Sequence, residues 1–328
     1  MIIAIVLIAG WRSAADGGQR VVLYCAHDAV YAEDIIARFE KATGIDVAVR
    51  FDSEATKSLG LIRRLEQEAA APACDVFWNN ELLGTQDLAR QGLLAPYQGS
   101  GWQRMSDAFK EPTGLWTGFG ARMRVFIVNT EAVPADADVA ALFAQQPQRS
   151  AIAKPLYGTT LTHFTLLWRD RGPAGVQAWY RDLLDRGLRV VDGNGRSKQL
   201  VADGALDLGW TDTDDAFLAL DAKAPVRMEP VRLDDGATIA IPNTVAIITG
   251  APHRAAAEQL VDFLLSQQVE VALANGPSRQ VPLGPVDPSE LPEELRPLQA
   301  WAAEGTPLDG LIDHRAACIE WLQSEYLD

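Results

Sequence analysis

The sequence predicts an α/β protein of two lobes joined by two crossover strands around a ligand cleft. Three observations lead there. Strand and helix periodicities alternate through the first third of the chain. Two strand-like runs far apart in sequence, Gly114 to Asn129 and Ala237 to Thr249, are each interrupted by Gly or Pro. The polar residues with chemistry to offer fall just after strands, in both halves.

The elements follow in order. Val21 to Cys25 is a short apolar run suited to a buried parallel strand. Tyr31 to Thr43 places Ile35, Ile36 and Phe39 on one helical face, and Gly44 follows as a C-terminal cap. Ile45, Val47, Val49 and Phe51 alternate with polar residues at the strand period. Thr56 to Ala69 is a second helix with Leu59, Ile62 and Leu65 on one side; Asp75 to Trp78 is a third strand and Leu82 to Gln91 a third helix. This order implies right-handed crossovers and a parallel sheet. Gly118 to Arg122 and Pro242-Asn243 then read as breaks where the chain passes between lobes. Between them lie a strand at Ala151–Ala153, helices at 161–171 and 175–186, a strand at 188–191 and a run from Leu206 to Trp210. Helices return at 254–266, 268–274 and 314–326, with a Pro/Gly loop from Gly276 to Leu283. On this reading 1–19 is a signal-like leader, 20–120 with 242–328 the first lobe, and 121–241 the second.

Composition narrows the classes of function. The chain has 328 residues, 48% hydrophobic and 22% charged, with a formal net charge of −15. So acidic a chain repels nucleic acid and anionic headgroups; the charge serves solubility and also favours cationic ligands. Cys25, Cys74 and Cys318 form no CxxC motif, which argues against zinc and thioredoxin-like chemistry and leaves room for one disulfide at most. Met1 to Gly10 is too short to span a bilayer but suits the apolar core of a signal peptide, with small residues at 13–15 for cleavage. Trp11 stands where a lipid-bearing cysteine would be. The alternative is a plain N-terminal strand.

No nucleophile elbow, zincin motif or Walker loop is present. Gly193-Asn194-Gly195 lacks the third glycine of a dinucleotide fingerprint, and Asp192-Gly-Asn194 lacks the acidic ligands of an EF-hand. What stands out is Thr211-Asp212-Thr213-Asp214-Asp215, directly after a strand. Carboxylates there face the crevice where α/β proteins bind ligands; the same residues also suit a helix cap. Asn80 and Glu81 follow the third strand, and His27 the first. Thr159 and Thr160 open a helix whose N–H groups can bind an anion or be capped by one of those threonines, and Asn194 sits in a glycine-flanked turn.

These residues resemble family 1 of the bacterial extracellular solute-binding proteins, closest to its ferric-ion-binding branch. The likeness rests on Leu23-Tyr24 with His27, Phe39-Glu40-Lys41-Ala42-Thr43-Gly44-Ile45, Asp75-Val76-Phe77-Trp78 and Gly92-Leu93-Leu94-Ala95-Pro96-Tyr97. In the second half Gly158-Thr159-Thr160, Asn194 and Ala205 to Trp210 fall in the family order. The resemblance implies a type II periplasmic-binding-protein fold, hinge closure on one ligand, a periplasmic or extracytoplasmic location, and delivery to the permease and ATPase of an ABC importer. It also implies a pair of adjacent tyrosines after the strand matching Leu206 to Trp210, holding ferric iron. Here that place reads Thr211 to Asp215, and the pair is absent.

Hinge closure requires groups from both lobes on the ligand. The expected set is therefore His27, Asn80 and Glu81 facing Thr160, Asn194, Asp212 and Asp214, with His27, Glu81, Asp212 and Asp214 as metal ligands. No resident cofactor is expected; ferric or another metal ion would be cargo, and the protein a monomer. The competing readings are an organic cation of the thiamine or polyamine class stacked on Trp78 or Trp210, an anion such as a phosphonate, a signalling receptor, or an enzyme on the same bilobal fold.

Overall fold

A computed structural model describes residues 19–27, 29–52 and 59–326. Residues 1–18 of the expected leader lie outside these, as do the first residues of the second expected helix. The chain begins with β1 (Arg20–Cys25), α1 (Ala29–Thr43), β2 (Asp46–Phe51), α2 (Leu59–Gln67), β3 (Val76–Asn79) and α3 (Leu83–Arg90). Ile35, Ile36 and Phe39 are buried as the helical period requires, and Gly44 takes φ +71 while its N–H donates to the Glu40 carbonyl at 2.8 Å. Val49 departs from the alternation and is exposed.

After β4 (Leu94–Ala95) and α4 (Ser100–Arg104) comes the 13-residue β5 (Thr117–Asn129). The second half then builds α5 (Val139–Gln145), β6 (Ser150–Ala153), α6 (Gly158–Asp185), β7 (Arg189–Val191), α7 (Asn194–Ala202), β8 (Leu208–Asp212), α8 (Thr213–Asp221) and β9 (Val226–Pro230). The two helices expected at 161–171 and 175–186 are the arms of α6, bent where Gly172 leaves helical geometry with φ +71 ahead of Pro173. The chain returns through β10 (Ala240–Ile248), α9 (Arg254–Leu264), α10 (Gln267–Asn275), α11 (Arg296–Ala303) and α12 (Ile312–Ser324).

The strands form one sheet in the order β2-β1-β3-β10-β5-β8-β6-β7, with β4 on β10 and β9 on β5. β1 is parallel to β2 and β3, and β6 is parallel to β7 and β8. The two parallel groups are joined by antiparallel β10 and β5. Residues 117–123 of β5 pair with β10, and residues 124–128 pair with β8. β5 and β10 are thus the two crossover strands of a type II periplasmic-binding fold.

One expectation needs correction. Gly118 to Arg122 does not interrupt β5. Phe119 pairs with Asn243 and Ala121 with Pro242, so Gly120 has no partner across the ladder. Gly120 is the extra residue of a β-bulge, at φ +45, and its N–H donates to buried Glu270 at 3.0 Å. The Gly and Pro-Asn "breaks" are the two sides of that one bulge. The segment that follows α11 is held from two sides. Trp321 of α12 stacks on Trp168 of α6 with ring centroids 5.3 Å apart, and Tyr180 bonds Tyr326. Gln86 of α3 holds the same segment from the other side, donating to the Leu308 carbonyl and accepting from the Ile312 N–H.

Candidate functional site

The site lies where β5 changes partners. Arg122 and Arg124 are two apart on one strand, so they share a face. Arg122 is the one residue of β5 that is not fully buried. Its Nη2 donates to the Asn80 carbonyl at 2.6 Å, at the end of β3, and its Nη1 lies 3.9 Å from Asp214 Oδ2, in the first turn of α8. One guanidinium therefore touches both halves of the molecule. Burial works against its charge, but Asp214, Asp212, Asp215 and Glu81 outweigh it and raise its pKa.

Arg124, fully buried, is the centre of a polar knot. Its Nη1 donates to Asp212 Oδ1 at 2.6 Å, to Thr159 Oγ1 at 3.2 Å and to Asn194 Oδ1 at 3.2 Å; its Nη2 reaches Thr160 Oγ1 at 3.5 Å. Thr159 and the Asn194 amide both donate to Asp212 Oδ2, at 2.6 and 2.9 Å. Both oxygens of the carboxylate are met, while Arg124 Nε stays buried without a partner; the paired charges hold each other in place. Three elements, α6, α7 and the β8–α8 junction, are pinned together by this knot.

Each expected residue can now be placed. Thr160, Asn194 and Asp212 come together, but around Arg124. Asp212 is 2% exposed and its charge is already matched. Glu81 accepts the N–H groups of Leu83 and Gly84 at 3.0 and 2.9 Å, so it caps α3. Asn80 contributes its carbonyl to Arg122. His27 is buried against Trp78, ring centroids 5.3 Å apart, with Gln280 Nε2 3.4 Å from its Nε2. Burial, then the Arg122 charge, lowers its pKa to about 3, so its imidazole is neutral. Among the described residues no three His, Cys, Asp or Glu gather to hold an ion. Asp212 is taken by Arg124 and Glu81 by a helix end. Cys25, Cys74 and Cys318 are all buried.

Asp214 differs. Its side chain stays 31% exposed beside Arg122. Burial raises its pKa; Arg122 opposes this, and Asp212 and Asp215 add to it, bringing it to about 7. This carboxylate lacks enough positive charge around it. Trp78 and Trp210 are not available for stacking on a ligand, since Trp78 is fully buried beneath His27 and Phe119, while Trp210 lies among Phe143, His163 and Trp179.

Sequence reading missed Arg122 and Arg124. The alternation Arg122-Met123-Arg124 inside a buried strand was the available signal, because two guanidiniums on one strand face need partners. A 640 Å³ groove between α1 and α10, lined by Asp34, Arg38, Gln267 and Glu290 among others, lies away from these strand ends.

A profile of bacterial extracellular solute-binding proteins matches residues 21–275. The chain belongs to this family. The family's role is solute binding, so the protein is an extracytoplasmic binding protein and not an enzyme. Iron uptake protein A1 of Synechocystis is 22% identical over 274 residues, covering 78% of this chain and 74% of that protein. The apo ferric ion-binding protein A of Pasteurella haemolytica superposes with a TM-score of 0.80 at 17% identity, covering 94% of this chain and 98% of that one. FutA of Trichodesmium, solved with iron and citrate ligands, gives 0.76 at 18% identity, covering 93% and 98%. Among the described residues no helix is long and apolar enough to cross a membrane.

Proposed function

We propose that this solute-binding protein captures iron together with an organic anion and hands it to the permease and ATPase of an ABC importer. The signal-like leader, residues 1–19, would export it. The lobes are 20–120 with most of 242–328, and 121–241, with α12 siding with the second. One observation carries the choice of cargo. Arg122 and Asp214 stand side by side where β5 changes partners, both partly exposed, a guanidinium able to take a carboxylate oxygen and a carboxylate short of positive charge. A metal that brings its own carboxylates satisfies both at once, and it needs no tyrosine pair because the chelator supplies the remaining oxygens. The curated relative that takes up iron, and the fold neighbour holding iron and citrate, support the same choice. His27, Asn80 and Glu81 on one side and Thr160, Asn194 and Asp212 on the other form the walls.

Thiamine-class ligands fit less well because both tryptophans that would stack on them are buried. The test is a thermal-shift panel on the purified chain with ferric citrate, citrate alone, ferric nitrilotriacetate, spermidine and thiamine, together with metal analysis of the protein as isolated. Ferric citrate at a hundredfold excess over Kd should raise Tm by about 5 °C. Citrate alone should not. Asp214→Asn and Arg122→Gln should each weaken binding about tenfold, roughly 1.4 kcal/mol. A response confined to spermidine or thiamine overturns the iron reading.

A further inference from the structure

The loop that follows α10 lies beyond the segment matched by the family, and it holds a strained residue. Arg279 has φ +42, one of two non-glycine residues with positive φ among those described. A side chain in that region is strained, so surrounding contacts must hold it there, among them its own N–H bond to the Gly276 carbonyl at 3.0 Å. Its side chain also reaches the other half of the molecule. Arg279 Nη1 and Nη2 donate to the two carboxylate oxygens of Asp221 at 2.9 and 3.0 Å, and the guanidinium lies 5.0 Å from the centre of the Phe217 ring. Asp221 and Phe217 belong to α8. Glu294 adds a second carboxylate at 3.3 Å.

The loop itself is anchored to the first lobe and the crossover strand. The Gln280 N–H donates to the Leu273 carbonyl, and Val281 exchanges backbone hydrogen bonds with Ala121. The Gln280 side chain accepts from Asn243 Nδ2 at 2.6 Å and sits 3.4 Å from His27 Nε2. Two consecutive residues thus face opposite ways, Gln280 onto the wall of the site and Arg279 across to α8. α8 thus reaches the first lobe at both ends, indirectly in its first turn, where Asp214 lies beside the Arg122 that bonds the Asn80 carbonyl, and directly in its last, where Asp221 pairs with Arg279.

We propose that Arg279 is a positioning residue that latches α8 to the first lobe, setting how far the cleft opens and how Gln280 meets His27. The latch is open to salt. The Asp221 side chain is 54% exposed, so dissolved ions screen the pair. The bidentate fork gives the contact its direction and most of its strength.

The test needs no ligand, so it stands whether or not the cargo is iron. Nitroxide labels at exposed Arg63→Cys on α2 and Asp185→Cys at the end of α6 report the distance between lobes by pulsed electron resonance, the native cysteines being buried. Arg279→Gln and Asp221→Asn should each broaden the distance distribution to the same extent, and the double variant no further. Sodium chloride at 1 M should broaden the unsubstituted chain in the same way and leave the variants unmoved. Distributions that stay unchanged in variants that unfold cooperatively overturn the proposal. So does additive broadening in the double variant, which would mean that the two residues act apart. If Arg279→Gln fails to fold, Asp221→Asn alone decides it, since it leaves the loop backbone untouched.

Discussion

At the scale of single residues, Asp212 and Asp214 are two positions apart and have opposite circumstances. Asp212 lies in the knot, where Arg124, Thr159 and Asn194 meet both of its oxygens. Asp214 lies at the edge, where one guanidinium at 3.9 Å cannot offset burial and two neighbouring carboxylates. Their substitutions should therefore report on different properties. Asp212→Asn keeps the shape but leaves Arg124 buried without its counter-charge. It should cost about 3–5 kcal/mol of stability in urea unfolding. A change below about 0.5 kcal/mol would mean that the Asp212 charge is not committed to Arg124 and is free for cargo.

Among the elements, β5 contributes most. It pairs with β10, β8 and β9, presents two arginines on one face, and carries the bulge at Gly120. A Cβ on Gly120 would meet Gln280 Oε1 and Leu273 Cδ1, each at 2.9 Å, in a backbone conformation that side chains avoid. Gly44 gives a matched control, since its φ is +71 but nothing lies within 4 Å of its would-be Cβ. Gly44→Ala should cost about 1 kcal/mol through backbone strain alone. Gly120→Ala should cost about 2–3 kcal/mol, because Gln280 must also give way and its bond to Asn243 with it. Equal losses in urea titrations of the two variants would show that the bulge tolerates a side chain. The same strand explains why its breaks were misread: a glycine and a proline in a strand pattern mark either an end or a bulge, and only the pairing partner decides between them.

For the molecule as a whole, buried titratable groups set the response to acid. His27 and His163 are both buried and neutral, chiefly through desolvation. Their native pKa values lie below the unfolded value of about 6.5. Between the two values the unfolded chain binds protons that the native protein refuses, so their stabilising contribution is present above pH 6.5 and is lost as the pH falls. Asp214 acts in the opposite sense. Its raised pKa makes the native state prefer the proton, so its contribution is largest at low pH and is lost as the pH rises toward 7. Stability measured from pH 7 down to pH 4 should fall less steeply in His27→Gln than in the unsubstituted chain, by up to about 1.4 kcal/mol per pH unit. It should fall more steeply in Asp214→Asn. Identical slopes in all three proteins would mean that these groups titrate alike in both states.

What the sequence determined by itself is whatever depends on local period and local chemistry. The first lobe's strands and helices were legible because Ile35, Ile36 and Phe39 recur at helical spacing and Val21 to Cys25 form a buried run. The two crossover regions were legible as unusual strands, and the family as a set of short motifs. The position of Thr160, Asn194 and Asp212 near one another followed from the rule that loops after parallel strands share a face. Tertiary structure alone decided what those residues do there. Asp212 meets Arg124, 88 residues away in the chain, Glu81 turns to a helix end, and the guanidinium that spans both halves comes from inside a buried strand. A carboxylate's role depends on which charge lies within a few ångströms, and that distance is fixed by packing between elements remote in sequence, which no local pattern encodes.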